Sequence, residues 1–249
     1  MLLKFFEFKE TDLEPIKSFI IKDDLNPKIW KKLKINKDIR KDLLIVADDF
    51  FKSCELNTNI IDIILTGSLA NYNWSEKYSD FDLHILIDFK FINKDSKLVK
   101  KLCDEIKKSW NDGHDIMIKG YEVEVYIQDI DEVHRSNGMY SLLNNKWLKI
   151  PKKIKFELNE HELEEKSKPL MLIIDEIEGR LDKDNYSSFS KKLEKVWKKI
   201  KRLRQSGLEK DGEYSLGNLV FKLLRRNGYL GKIMKLKKNS YDKQFEKYI

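Results

Sequence analysis

Two aspartates separated by one residue, Asp80 and Asp82, open the alternating stretch 80–88 (DFDLHILID). In a β-strand, residues i and i+2 point to the same face, so these two carboxylates are expected side by side. Like charges at that distance repel each other unless a cation lies between them. Mg²⁺ takes oxygen ligands and usually keeps substrate phosphates as further ligands. The pair therefore predicts a metal clamp for a phosphate-bearing substrate; the alternative is a solvated strand face.

A second feature is the pair Gly67-Ser68, which directly follows the apolar, β-branched stretch 60–66 (IIDIILT). That stretch is typical of a buried strand. Glycine lets the backbone approach an anion closely, and the Ser68 hydroxyl adds a hydrogen-bond donor. We interpret the pair as a phosphate-binding turn, with an ordinary turn as the alternative.

A third carboxylate lies in the strand-like stretch 121–128 (YEVEVYIQ). An acidic side chain in an apolar strand faces either solvent or a partner. Glu124 stands between two valines, whereas Glu122, on the same face, follows Tyr121. We favour Glu124 and leave Glu122 open. Three carboxylates on neighbouring strands would suffice to hold two metal ions.

The combination of these features resembles the DNA polymerase beta-like nucleotidyltransferase superfamily over residues 60–128. The motif consists of Gly67-Ser68, Ser79-Asp80-Phe81-Asp82-Leu83 and Val123-Glu124-Val125. The whole chain is also similar to uncharacterised nucleotidyltransferases of large DNA phages and related viruses. The stretches that carry this second resemblance are 65–74 (LTGSLANYNW), 123–129 (VEVYIQD), 138–144 (GMYSLLN) and 218–230 (NLVFKLLRRNGYL).

The resemblance implies an enzyme that transfers a nucleoside monophosphate from a nucleoside triphosphate to an acceptor hydroxyl, without a template, and releases pyrophosphate. It assigns two Mg²⁺ ions to Asp80 and Asp82, one of them shared with Glu124. It assigns nucleotide binding to Gly67, Ser68 and Ser79. The basic residue often found soon after Gly-Ser in this superfamily is missing here, since the first one after Ser68 is Lys77.

The distribution of charge suggests a polyanionic partner. Residues 190–249 contain 18 Lys/Arg and 6 Asp/Glu, a net charge of +12, while the rest of the chain is slightly acidic. Phosphate backbones bind such surfaces through counterion release, so we expect an RNA acceptor of tRNA-like form. The candidate contacts are Lys198, Arg202, Arg225 and Arg226. A solvated surface is the alternative for the charge.

Three other functions remain open. One is transfer of AMP to a protein or a small molecule, and another is a non-catalytic nucleotide-binding or RNA-binding module. The third is a nucleotide cyclase or an oligonucleotide synthase, since those enzymes share the Gly-Ser and Asp-x-Asp motifs. The roles of His84 and His134 also remain open. His84 shares the face of Asp80 and Asp82, and His134 follows the third acidic strand.

The elements that must position these residues are of two kinds. Alternating and β-branched stretches dominate to about residue 150, and helical periodicity dominates afterwards. The predicted fold is α/β: a mixed-sheet nucleotidyltransferase domain, 1–150, followed by an all-helical basic domain, 151–249. The 249 residues are long enough for a sizeable core.

Composition excludes several classes of protein. Two cysteines rule out a disulfide scaffold and a Cys-rich zinc site. The 11% of aromatic residues is too high for a disordered chain. No stretch approaches the roughly 18 apolar residues of a membrane span. We therefore expect a protein with no membrane partner in the cytoplasm, or in the host-cell cytoplasm if the chain is viral.

Overall fold

The computed structural model describes residues 14–134, 136–180 and 186–245. These divide into two compact units. One comprises residues 21–155, and the other comprises 156–245 together with 14–20. Each unit has its own hydrophobic core.

The unit of residues 21–155 is built on β-sheet. Its strands are β1 (Trp30–Lys31), β2 (Lys34–Ile35), β3 (Asp62–Thr66), β4 (Phe81–Ile87), β5 (Met117–Ile118), β6 (Tyr121–Asp129), β7 (Met139–Ser141) and β8 (Lys146–Lys149). β1 and β2 form a hairpin, and the other six form one sheet in the order β5-β6-β4-β3-β7-β8. β4 and β6 pair in parallel and the other neighbours are antiparallel, so the sheet is mixed.

One face of this sheet is apolar because the strands alternate. Every second residue of β4, from Phe81 to Ile87, is buried, and the residues between them are half-buried. Helices α1 (Lys37–Ser53) and α2 (Ser96–Gly113) contribute Leu43 and Val99 to the core on that face. Burying a side chain of this size contributes about 1.5–3 kcal/mol. The polar residues of β4 and β6 are therefore left on the opposite face.

The second unit is helical. Its helices are α3 (Glu160–Glu178), α4 (Tyr186–Lys210), α5 (Leu216–Arg226) and α6 (Tyr229–Phe245). A 3-10 helix at Glu14–Phe19 belongs to the same unit, where Ile16 and Phe19 are 2% and 5% exposed. Asn159 caps α3 and Ser215 caps α5, each accepting a backbone N–H with its side-chain oxygen.

The predicted fold class, an α/β mixed sheet followed by a helical region, is confirmed. The predicted division at residue 150 lies close to the change of unit between Lys155 and Phe156, but residues 14–20 belong to the helical unit. Among the described residues, no helix has the length and apolar character needed to cross a membrane.

The pair Asn26-Pro27, a cap residue followed by proline, has the local pattern of a helix start, but the structure forms a turn there instead. Asn26 starts one turn, in which its carbonyl accepts the N–H groups of Ile29 and Trp30. The chain then enters β1, because Trp30 is buried and its indole N–H donates to the carbonyl of Leu69 at 2.7 Å. A long-range anchor thus outweighs the local helix signal.

Candidate active site

The Asp82 carboxylate lies close against Gly67 at the end of β3. Asp82 is the cross-strand partner of Thr66, and Gly67 follows with φ 73°. A Cβ placed on Gly67 would lie 1.7 Å from Oδ2 of Asp82. The carboxylate therefore occupies the space that a side chain at position 67 would need. Glycine satisfies both the left-handed backbone and this close approach.

Asp82 and Glu124 face each other across the parallel pair β4–β6. They are directly opposite in the register, and both are half-buried. Neighbouring strands are about 4.8 Å apart, so two such carboxylates lie side by side on one face. Asp80 immediately precedes β4, two residues before Asp82. The sheet thus places Asp82 and Glu124 on the same face, with Asp80 one residue before the start of β4.

Tyr126 contacts this acidic group, although it was not among the predicted site residues. Its hydroxyl donates a hydrogen bond to Oε2 of Glu124. Burial raises the pKa of Tyr126, and the negative charges of Asp82, Glu124 and Asp80 raise it further. One phenol therefore senses all three carboxylates. The available signal was the alternation of β6, which places residue 126 on the face of residue 124.

The choice between Glu122 and Glu124 follows from their neighbours. Glu122 is exposed and pairs with Met117 of the short edge strand β5. Glu124 is half-buried, faces Asp82 of β4 and accepts a hydrogen bond from the Tyr126 hydroxyl. The geometry thus favours Glu124 as the third carboxylate.

Ser68 and Ser79 lie together although 11 residues separate them. Their hydroxyl oxygens are 2.7 Å apart. Ser79 Oγ also accepts the backbone N–H of Ser75 at 2.9 Å, and Ser79 is buried. Two residues of the predicted nucleotide-binding set therefore form one hydrogen-bonded group beside Gly67.

His84 lies further along the same face. Its ring stacks on Tyr126, with centroids 4.7 Å apart, and its Nδ1 is 2.7 Å from Oε1 of Gln128. Burial lowers the pKa of His84 to about 4, so the imidazole is neutral at pH 7. The His134 ring lies 5.5 Å from it. These contacts place His84 as packing support behind Tyr126.

The predicted metal site requires several ligand side chains in one place. Within residues 14–134, 136–180 and 186–245, no group of three or more His, Cys, Asp or Glu side chains is arranged to hold a metal ion. The donor chemistry nevertheless fits Mg²⁺, which commonly uses one or two carboxylates and takes its other ligands from water and phosphates. Asp82 and Glu124 supply such a pair, and the two-ion site stays a prediction.

The four predicted nucleic-acid contacts have different surroundings. Arg202 and Arg225 are exposed. The Nζ atom of Lys198 lies 3.7 Å from Oε1 of Glu194, one turn earlier in α4. Arg226 instead packs its guanidinium over the Phe19 ring, 4.4 Å from the centroid, and donates to the Ser18 hydroxyl. Arg226 thus has a structural role within the helical unit.

Comparison with known proteins shows weak similarity to a solved structure. No protein-family model matches the sequence, and no curated protein matches it. A solved structure that is similar to the chain is that of the STING-associated CdnE c-di-GMP synthase from Capnocytophaga granulosa. The identity is 11%, the TM-score is 0.25, and the match covers 84% of each chain. A similarity at this level supports no inference about activity.

Proposed function

We propose that this protein transfers a nucleoside monophosphate from a nucleoside triphosphate to an acceptor hydroxyl, most simply on RNA. The acceptor oxygen attacks the α-phosphorus, the bond between the α-phosphorus and the bridging oxygen breaks, and pyrophosphate leaves. The hydroxyl proton passes to solvent. The chemistry needs positioning and neutralisation of charge more than covalent participation by the protein.

The carboxylates of Asp80, Asp82 and Glu124 would hold Mg²⁺ on the polar face of the sheet. When bound, Mg²⁺ supplies neutralisation of charge on the phosphates and on the attacking and leaving oxygens. Gly67 fixes the position of the Asp82 carboxylate. Tyr126 holds one oxygen of Glu124 through its hydrogen bond, which orients that carboxylate toward Asp82.

The turn after β3 would bind the β- and γ-phosphates. Ser79 Oγ already accepts the N–H of Ser75, so its own proton can be donated to Ser68 Oγ. That arrangement leaves the Ser68 proton available to a phosphate oxygen. Gly67 begins this turn with its left-handed backbone, and the space beside it is taken by the Asp82 carboxylate.

The observation that carries this proposal is the register of β4 and β6. It places Asp82 directly opposite Glu124, at the strand end where Gly67 touches Asp82. Had β6 been shifted by one residue, Val123 or Val125 would face Asp82 and the site could not form. The RNA acceptor rests on the net charge of +12 over residues 190–249.

The experiment compares two glutamates of the same strand. The protein is incubated with Mg²⁺, total RNA and each of the four labelled nucleoside triphosphates, and products are resolved on a denaturing gel. We expect Glu124→Gln to lower incorporation by about 100-fold or more, because even a 1 Å misplacement costs that much. Glu122→Gln, on the same face of β6, is the matched control and is expected to stay within a few-fold of wild type.

Incorporation into protein or a small molecule, with none into RNA, would redirect the proposal to AMP transfer. Absence of label from every acceptor with folded protein would contradict the enzyme itself. A non-catalytic nucleotide-binding module is then the second candidate. Calorimetry with nucleoside triphosphate, with and without Mg²⁺, measures that binding directly.

A further inference from the structure

A second basic surface lies in the sheet unit, on the β1–β2 hairpin. Residues 28–37 contain five lysines and no acidic residue. They line most of an open groove of about 1250 Å³, and Asp24 is the one acid among the described residues of its lining. An adjoining hollow of about 510 Å³ shares Lys34 and Lys37 and adds Arg40. We call these two concavities together the hairpin groove.

The hairpin groove concentrates lysines that have no acidic partner. Elsewhere Lys52 and Lys168, for example, each pair with an acid one helical turn away. Lys28 pairs with Glu76 at 3.1 Å. Four exposed lysines make no ion pair within the described residues, namely Lys31, Lys32, Lys34 and Lys37. The groove therefore presents uncompensated positive charge.

Two features of the hairpin cost stability, and folding does not explain them. Lys31 and Lys34 are direct cross-strand partners, and like charges in that relation destabilise a sheet. Lys32 adopts φ 57°, in the left-handed region that glycine and asparagine occupy most easily. Unfavourable backbone positions that persist are frequent at functional sites.

The hairpin is nevertheless firmly held. The Trp30 ring stacks on Trp147 with centroids 4.6 Å apart, and the Trp147 indole donates to the carbonyl of Leu33 at 2.7 Å. Trp30 also donates to Leu69, within the turn that follows Gly67. The lysines thus project from a rigid support that is joined to the candidate phosphate-binding turn.

We infer that the hairpin groove binds the phosphate backbone of a nucleic acid. Its aromatic rings face inward, since Trp30 and Tyr140 are 4% and 2% exposed, so the groove offers charge and no stacking platform. Its volume exceeds the roughly 300–1000 Å³ of small-molecule pockets, which favours a nucleic-acid strand over a free nucleotide as the ligand. Lysine acts as a point charge on phosphate, so binding shows little preference for base sequence. That this strand is the acceptor rests on the proposed function.

The test measures binding of a 20-nucleotide fluorescein-labelled RNA by anisotropy, without nucleotide or Mg²⁺, over a range of KCl concentrations. We expect the triple variant Lys31→Gln/Lys32→Gln/Lys34→Gln to lose at least tenfold in affinity. Its log–log salt slope should fall by about 2, since each phosphate contact on a single strand contributes about 0.7. Its melting temperature should equal or exceed that of wild type, because the substitution removes a repulsion.

The control carries the same change in net charge. Lys97→Gln/Lys101→Gln/Lys108→Gln alters exposed lysines of α2. This variant should stay within twofold of wild type. Unchanged binding by the hairpin variant, an equal loss in the control, or equal binding of polyglutamate would overturn the inference. Because the assay contains neither nucleotide nor Mg²⁺, its result does not depend on whether nucleotide transfer is found.

Discussion

At the scale of single residues, the candidate site depends on the space that Gly67 leaves open. The Asp82 carboxylate fills the position of the missing side chain, and the backbone there has a positive φ. A side chain at residue 67 would move the end of Asp82, because a carboxylate gives way more easily than a strand. The absence of a side chain at residue 67 therefore determines where the Asp82 carboxylate can lie.

We therefore expect Gly67→Ala to abolish nucleotide transfer and to lower the free energy of unfolding by about 1–3 kcal/mol, the usual cost of a strained backbone position. Denaturant titration gives the second quantity, and the labelled-nucleotide assay gives the first. Gly113→Ala is the matched control, since a Cβ there meets nothing within 4 Å. Full activity in Gly67→Ala would show that the position of Asp82 does not matter.

At the scale of elements, the helical unit depends on the close approach of α4 and α5. A Cβ added to Gly217, at the start of α5, would lie 2.1 Å from the backbone carbonyl oxygen of Leu203 in α4. A helix backbone cannot move aside as a side chain can. Packing two helices this closely requires a small residue at the crossing.

Gly217→Ala should consequently separate the two helices and destabilise the protein by about 1–3 kcal/mol, the range found for overpacked interiors. Thermal unfolding followed by circular dichroism at 222 nm measures the effect. Gly231→Ala provides the comparison within α6, where the added Cβ meets nothing within 4 Å. That variant should be neutral or stabilised by up to about 1 kcal/mol, because alanine favours the helix. Equal stability of both variants would contradict this account of the crossing.

At the scale of the whole molecule, the chain forms two hydrophobic cores. The 3-10 helix at Glu14–Phe19 belongs to the helical core, although the rest of that core comes from residues after 155. Phe19 packs among residues of the helical unit, 5% exposed, and carries the Arg226 guanidinium on its ring. Residues 21–155 form the other unit. A fragment that ends near residue 155 would therefore lack the core partners of Ile16 and Phe19.

We predict that Phe19→Ala destabilises the helical unit by about 3–5 kcal/mol, as is typical of a buried phenylalanine. Hydrogen exchange read by mass spectrometry should show faster exchange in α3 and α5, while β3, β4 and β6 keep their protection. Phe91→Ala removes an equally large ring that is 76% exposed and should change neither region. If Phe19→Ala lowered hydrogen-exchange protection only in the sheet, the assignment of Phe19 to the helical core would be contradicted.

The sequence determined those parts of the protein that repeat locally. Alternation predicted β4 and β6, and helical periodicity predicted that helices dominate after about residue 150, where the four helices of the second unit lie. Spacing also predicted that Asp80 and Asp82 share a face. These follow from periods of 2 and 3.6 residues that short windows of sequence contain.

Only the tertiary structure decided which strands are neighbours and what lies across from each acid. Nothing local determines that Asp82 faces Glu124, that Ser68 reaches Ser79, or that Tyr126 donates to Glu124. The β1–β2 hairpin likewise forms where the sequence indicated a helix, because buried Trp30 is anchored to Leu69. Register and long-range hydrogen bonds depend on packing of the entire sheet, and that free energy is absent from any single segment.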